Sequence, residues 1–370
     1  MTFRKSNSAI ALMMGLGLML STPVTTQAQS PAGAETNVEA SWSYGIPEWA
    51  NALTDGGAGG EVIKVTTTAS DGPGSLREAL SATGPRIVVF EVGGVINLDG
   101  DNILIENSDL TIAGQTAPSP GVSLIKGGLI IAADDVIVQH LRIRPGDLGE
   151  DFRSGRDIDA ITTSAASNVI VDHCSLSWAT DENLSASGPR FTGDTPEDWS
   201  NGTSHNIVFS NNIVAEGLSY STHAKGEHSK GSLIHDNVAD IVIYGNLYAH
   251  NFERSPLFKG GVQGAIMNNL IYDPGQRAIH YNLQELEWGK IAARTGHMSV
   301  MGNVMRAGPS TIIGLPMIML GGEGNLDLYR EDNISVDRWG QAVEQIGRYT
   351  TGPASITEVS APDLPDFAPT

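Results

Sequence analysis

The sequence predicts an all-β chain, a single-stranded right-handed parallel β-helix with a short N-terminal capping helix, and three observations carry that reading. Short β-branched runs recur in one pattern: a polar residue, three or four alternating apolar residues, then Asn or Gly. The strong copies start at Asp109, Asp135, Asn168, Asn206 and Asp240, with weaker ones at Gln263, His297 and Asp327, and their spacing drifts between 23 and 38 residues. Strict-length repeats do not drift in this way, whereas a coil of parallel strands joined by turns of free length does. Finally, helix-period apolar patterning is nearly absent, and the evenly spaced Asn-Gly or Asp-Gly turns of an antiparallel sandwich are scarce.

The elements follow in chain order. Residues 1–28 carry Arg4 and Lys5, an apolar run from Ala9 to Leu20 and the small-residue site Thr26-Gln27-Ala28, which reads as a signal peptide. No later stretch reaches the ~18 consecutive apolar residues that a membrane span needs. The chain is therefore expected to be secreted, extracellular or periplasmic. After an N-terminal segment at 29–59, the β-helix domain is expected over 60–345. Asp71-Gly-Pro-Gly-Ser75-Leu-Arg-Glu78 reads as the helix that lids the open end of the coil, with Ser75 and Glu78 as a capping box. Arg86-Ile-Val-Val-Phe-Glu91 is then the first buried strand. Residues 346–370, rich in Pro, Thr, Ser and Asp, are expected to form a mobile terminal extension.

Composition narrows the function. A hydrophobic content of 40% suits a large core, and the single cysteine, Cys174, sits in an apolar run and reads as a buried small hydrophobe. A net charge of −20 excludes nucleic acid and anionic membrane as partners. It would also repel an acidic polysaccharide unless a local basic patch or a bound cation intervened.

Three segments place charge where plain turns would otherwise stand. In Gly155-Arg156-Asp157-Ile158-Asp159, carboxylates at i and i+2 of an extended segment share a face, and like charges held together call for a cation; a solvated Asx turn is the competing reading. Asp181-Glu182 lies one strand further along and can stack on the same side, so that four carboxylates would suit calcium. The third is basic: His223, Lys225, His228 and Lys230, followed by Glu253-Arg254-Ser-Pro256-Leu-Phe-Lys259-Gly-Gly. Surface lysines kept for solubility would read the same way by composition. Arg277 and His280, one coil beyond Arg254, could extend a groove or form an ordinary turn. A transition-metal site at His223, His228 and His235 lacks the usual ligand frame, and substrate contact or plain surface is preferred there.

In this order these motifs resemble polysaccharide lyase family one, the pectate and pectin lyases, from about Gly60 to Asn333. The resemblance implies calcium-assisted β-elimination on polygalacturonate or pectin, giving unsaturated oligogalacturonides, by a monomer. It implies Arg254 and Lys230 as catalytic residues, with Arg254 taking the C5 proton. It further implies Lys259, Lys225, His223 and Arg277 as substrate contacts, and Asp157, Asp159, Asp181 and Glu182 as calcium ligands. Two departures stand out: the family's carboxylate four residues after Asp181 is Ser185 here, and Lys259 replaces an arginine, which loses the two-pronged grip on a carboxylate. A pectin lyase acting without calcium and a non-catalytic polysaccharide-binding β-helix are the alternatives. A polygalacturonase would need a Gly-His-Gly turn, which the chain lacks.

An arginine serves as base only where its pKa is driven down from above ~12 by burial and neighbouring cations. Activity on polygalacturonate is accordingly expected to peak at alkaline pH. A profile with its maximum below neutrality would remove Arg254 from the role of base.

Overall fold

The computed structural model describes residues 45–369; the expected signal peptide at 1–28, and the 29–59 segment up to residue 44, lie outside them. Within the described residues the strands form an 11-stranded sheet and two 9-stranded sheets. Each coil visits the three sheets in the same order. One coil, for instance, runs through Ser175–Ser177 in sheet 2, Glu182–Ser187 in sheet 3 and His205–Ser210 in sheet 1. Strands pair in parallel with the coil before and the coil after, making a right-handed parallel β-helix.

The anchors of the repeat have a backbone cause. Asp109, Asp135, Asn168, Asn206 and Asp240 all adopt positive φ, between 52° and 59°, immediately before or at the start of a sheet 1 strand. Asn and Asp tolerate this left-handed conformation better than other non-glycine residues, which is why they recur there. Gln263, His297 and Asp327 do not share it, in keeping with the weakness of their copies.

Inward-facing Ile, Val and Leu stack in columns to fill the coil, among them Val138, Val171, Phe209, Ile243, Ile266 and Val300 along sheet 1. Burying each such side chain contributes about 1.5–3 kcal/mol. Cys174 lies in the same core. Polar stacking runs through the corner between sheets 1 and 2. The Oδ1 atoms of Asn246, Asn269, Asn303 and Asn333 accept the backbone N–H of Asn212, Asn246, Asn269 and Asn303 at 2.8–3.0 Å. Their Nδ2 groups donate to carbonyls of the preceding coil. Each asparagine thus satisfies two backbone groups of the preceding coil.

The Leu76–Ser81 helix lids the N-terminal end with Leu76, Ala79 and Leu80 in the core. Ser75 caps it by accepting from Glu78 N at 3.2 Å. Glu78 departs from the expected box: its carboxylate accepts from Gly74 N at 2.6 Å, one residue before the cap. The outer face of sheet 1 is covered where Ile46 and Ala50 pack on Ile137, Ile170 and Val208.

The expected break at 345 is not a boundary of the coil. Ile346–Arg348 adds a strand to sheet 3 and Ile356–Glu358 one to sheet 1, and Leu364, Phe367 and Ala368 then pack on Val242, Ala265 and Met267 beside Trp49. The polar composition hid this docking because only a few apolar residues in the segment make it. No helix among the described residues is long and apolar enough to cross a membrane.

Replacing Asn269 by Ala would orphan the Asn246 N–H and the Ile243 carbonyl. At about 1–3 kcal/mol per buried group, denaturant unfolding is expected to show a loss of about 2–4 kcal/mol. A loss below ~0.5 kcal/mol would show that the ladder is dispensable.

Candidate functional site

Parallel pairing places residues of successive coils over one another, and at the entry to sheet 3 those residues are charged. Glu182 pairs in register with Lys230, and Lys230 bridges to Glu253. Arg277 precedes the Ile279–Leu283 strand of the next coil and pairs with the Glu253 carboxylate. Charge therefore alternates along the coil axis from Glu182 through Lys230 to Glu253, and the Arg277 side chain reaches the Glu253 carboxylate from the next coil. Arg254 lies one coil from Lys230 and two from Glu182, and its guanidinium reaches back to pair with Glu182. The backbone turns at Arg254 with φ 65°, an uncommon conformation for such a side chain and one that clusters at functional sites. That turn brings the Arg254 carbonyl 2.3 Å from where a Cβ on Gly231 would stand, so only glycine fits beside Lys230.

One end of this row is acidic. Asp159, Asp181 and Glu182 each offer an oxygen, and the three lie within 4.8 Å of one another. Asp159 accepts from Glu182 N at 2.9 Å, and Asp181 from His228 Nε2 at 2.6 Å. Burial, and then the neighbouring Asp181 charge, push the Asp159 carboxyl well above its ordinary range. Burial pushes Asp181 in the same direction, but the His228 hydrogen bond and charge hold it below that range. The Arg254 charge offsets the rise at Asp159 only in part, and an all-oxygen donor set suits a hard divalent cation. These residues fit calcium.

The other end is basic. Burial pulls the Arg254 guanidinium below its ordinary value, against the opposing Asp181 and Asp159 charges. Burial, followed by Arg277, pulls the Lys230 ammonium down, against the opposing Asp181 and Glu227 charges, while its ammonium pairs with Glu253. Arg277 stacks over the Tyr349 ring at 4.7 Å, and Tyr349 meets the buried His280 ring edge-on at 5.7 Å. The space for this tyrosine comes from Gly321, where a Cβ would lie 2.4 Å from the ring. The Nε atoms of Arg254 and Arg277 are both buried without a hydrogen-bond partner.

Other expected site residues lie apart. Asp157 is exposed and is not part of the three-carboxylate group; residues 155–159 form no strand, so the i, i+2 alternation that would have aligned it with Asp159 does not apply. Lys225 is exposed, and its backbone N–H donates to His223 Nδ1 at 3.1 Å. His223 is buried, stacked on His228 at 3.6 Å, with Nε2 3.7 Å from Asp181. Lys259, five residues along the chain from Arg254, is tied to Asp236 at 3.2 Å and to Glu287. Arg190 and the Trp288 indole N–H complete that network on Asp236. Burial pushes His235 beside it down to about 4.

Glu253, His228 and Tyr349 are the participants that motif reading left unassigned. Glu253 was adjacent to Arg254 all along, and its position beside Lys230 follows from register. His228 needed the loop that folds it over Asp181. Tyr349 carries no local signal, since it arrives from a segment that reads as a tail.

No family model matches the chain. By sequence it is 38% identical over 268 residues to the probable pectate lyase C of Aspergillus terreus, covering 71% of this chain and 54% of that one. It is 37% identical to the probable pectate lyase C of Emericella nidulans, over 71% and 52% of the two chains. The chain thus spans about half the length of these curated relatives. Among solved structures, a Bacillus subtilis pectate lyase variant superposes with a TM-score of 0.53 at 14% identity, over 83% of this chain and 88% of that one. The major allergen of cedar pollen does so with 0.51 at 18%, over 86% and 84%. At such identities the structural likeness bears on the fold, and it agrees with the parallel β-helix. The resemblance read from the sequence is borne out by the relatives.

Lys259 in its network is a neutralised, buried charge. Lys259→Met is expected to lower stability by about 1–3 kcal/mol, less than a lone buried pair because Arg190 and Trp288 still hold Asp236, and to leave polygalacturonate affinity unchanged. Unfolding and binding measurements on the variant check this; a fall in affinity at unchanged stability would put Lys259 in the groove instead.

Proposed function

We propose that the chain is a polysaccharide lyase of the pectate lyase type, cleaving polygalacturonate by β-elimination with a calcium ion held by Asp159, Asp181 and Glu182. The observation that carries this reading is the pair of buried, unpartnered Nε–H groups on Arg254 and Arg277. In a chain of net charge −20, two guanidinium donors left without acceptors beside an acidic trio match a polymer that brings a carboxylate on every sugar. Each orphaned donor costs about 1–3 kcal/mol until an acceptor arrives, so part of the binding energy is already set in the free protein.

In the elimination, a base removes the C5 proton, its electron pair forms the C4–C5 double bond, and the C4–O bond breaks. The leaving oxygen takes a proton from water. Calcium supplies positive charge at the uronate carboxylate, onto which the developing carbanion spreads. The protein's own cations act on the same charge. Lys230 is held in place by Glu253 and by the Phe252 ring at 5.4 Å, and Arg277 by Glu253 and Tyr349. Arg254 is the group that takes the C5 proton. Burial favours its deprotonated form, as a base of this type requires, while the Asp181 and Asp159 charges oppose it, so its ion pair with Glu182 must open for it to act as base. Secretion, and action as a monomer, accord with this reading.

Arg254→Ala is expected to lower the rate of appearance of the ultraviolet-absorbing product from polygalacturonate by about 10²–10⁴-fold, the range a general base supplies. Chelation should abolish wild-type activity and added calcium restore it. Unchanged activity in the variant would defeat Arg254 as the base, and chelator-resistant cleavage favouring methyl-esterified pectin would shift the reading to a pectin lyase.

A further inference from the structure

We infer that His228 and His223 are positioning residues that together fix Asp181 from the neighbouring coil. This deepens the reading of Asp159, Asp181 and Glu182 as a calcium group and rests on it. Both rings are buried, at 2% and 3% exposure, and stack with 6° between their planes. Both Nε2 atoms approach the same oxygen, Asp181 Oδ1, at 2.6 Å from His228 and 3.7 Å from His223.

The direction of these contacts follows from donor chemistry. The Lys225 N–H can only donate, so His223 Nδ1 is an acceptor, and the neutral ring carries its proton on Nε2, towards Asp181. His228 Nε2 faces a carboxylate oxygen at hydrogen-bond distance and is likewise the donor. The His228 hydrogen bond on Oδ1, with the His223 N–H facing the same oxygen at 3.7 Å as an electrostatic contact, restrains the carboxylate and leaves Oδ2 for a cation. The same geometry disfavours the three groups as a transition-metal site, since a ligating ring must present a lone pair where His223 presents a proton.

The loop that carries the pair is held from both sides. Leu218 N donates to Ala179 O at 2.9 Å, next to Asp181, and His228 N to Ser219 O at 3.0 Å. Thr222 Oγ1 donates to Arg156 O at 2.6 Å and Gly155 N to Thr222 O at 2.8 Å, tying the loop to the segment that leads to Asp159. The rings are thus anchored to the two segments that bring the acidic residues together.

The test is calcium titration calorimetry on the chelator-stripped full chain. His228→Ala is expected to bind calcium about 10- to 100-fold more weakly than wild type, the usual cost of losing a group that orients a metal ligand. His228→Gln, whose amide N–H can reach the same oxygen, should recover part of the loss, with denaturant unfolding in chelator confirming that each variant is folded. Equal affinity in His228→Ala and wild type would overturn the inference. Should the wild type itself bind no calcium, the reading of the acidic group fails, and the histidine pair is decided separately by long-range ¹H–¹⁵N spectra of the imidazoles. Both rings are expected to be protonated at Nε2 and to shift in Asp181→Asn. Rings protonated at Nδ1, or a zinc ion taken up by both Nε2 atoms, would overturn it.

Discussion

In-register parallel stacking is the constraint on which the molecule rests. Strands of successive coils lie about 4.8 Å apart, and what occupies a position in one coil has its counterpart from the next directly above it. Where the column faces inward, the rule yields aliphatic stacks; at the corner between sheets 1 and 2 it yields the asparagine ladder. At the entry to sheet 3 the same rule acts on charge. Like charges at that distance in a partly buried setting would repel by several kcal/mol, and Glu182, Lys230 and Glu253 avoid this by alternating.

The site is then a controlled breach of that balance. Beyond Glu182 the alternation stops, and Asp159, Asp181 and Glu182 accumulate negative charge with Arg254 as their one guanidinium partner. Towards the other end, Arg254 and Arg277 carry buried N–H groups with no acceptor. A deficit of cations and a deficit of acceptors stand side by side at the entry to sheet 3. In the function proposed above, a polyanion bridged by a divalent ion would correct both deficits at once, which neither a neutral polysaccharide nor a free cation would do.

Much of this was legible in the chain. The αL preference of Asn and Asp made the turns before sheet 1 visible as a repeat, and from that repeat the stacking of Arg254 over Lys230 and Asp181-Glu182 could be read. Three things were hidden for physical reasons. Asp157 shares a spacing with Asp159 but not a strand, and spacing orients side chains only within regular structure. Lys259 reads as a substrate contact because it keeps the charge of the arginine it replaces, yet Asp236 and Glu287, distant in sequence, pair with it. Tyr349 and the strands after 345 escaped notice because a coil needs only a few apolar residues to extend itself when the preceding coil supplies the template.

The alternating row of charges also constrains how such a protein can change over time. Loops between strands vary freely in length, as the drift from 23 to 38 residues shows, because they leave the order of the stack intact. The coil that carries Lys230 is different: its loss would set Glu182 and Glu253 face to face. That turn is therefore fixed by electrostatics, whereas coils outside the charged row are free of the constraint.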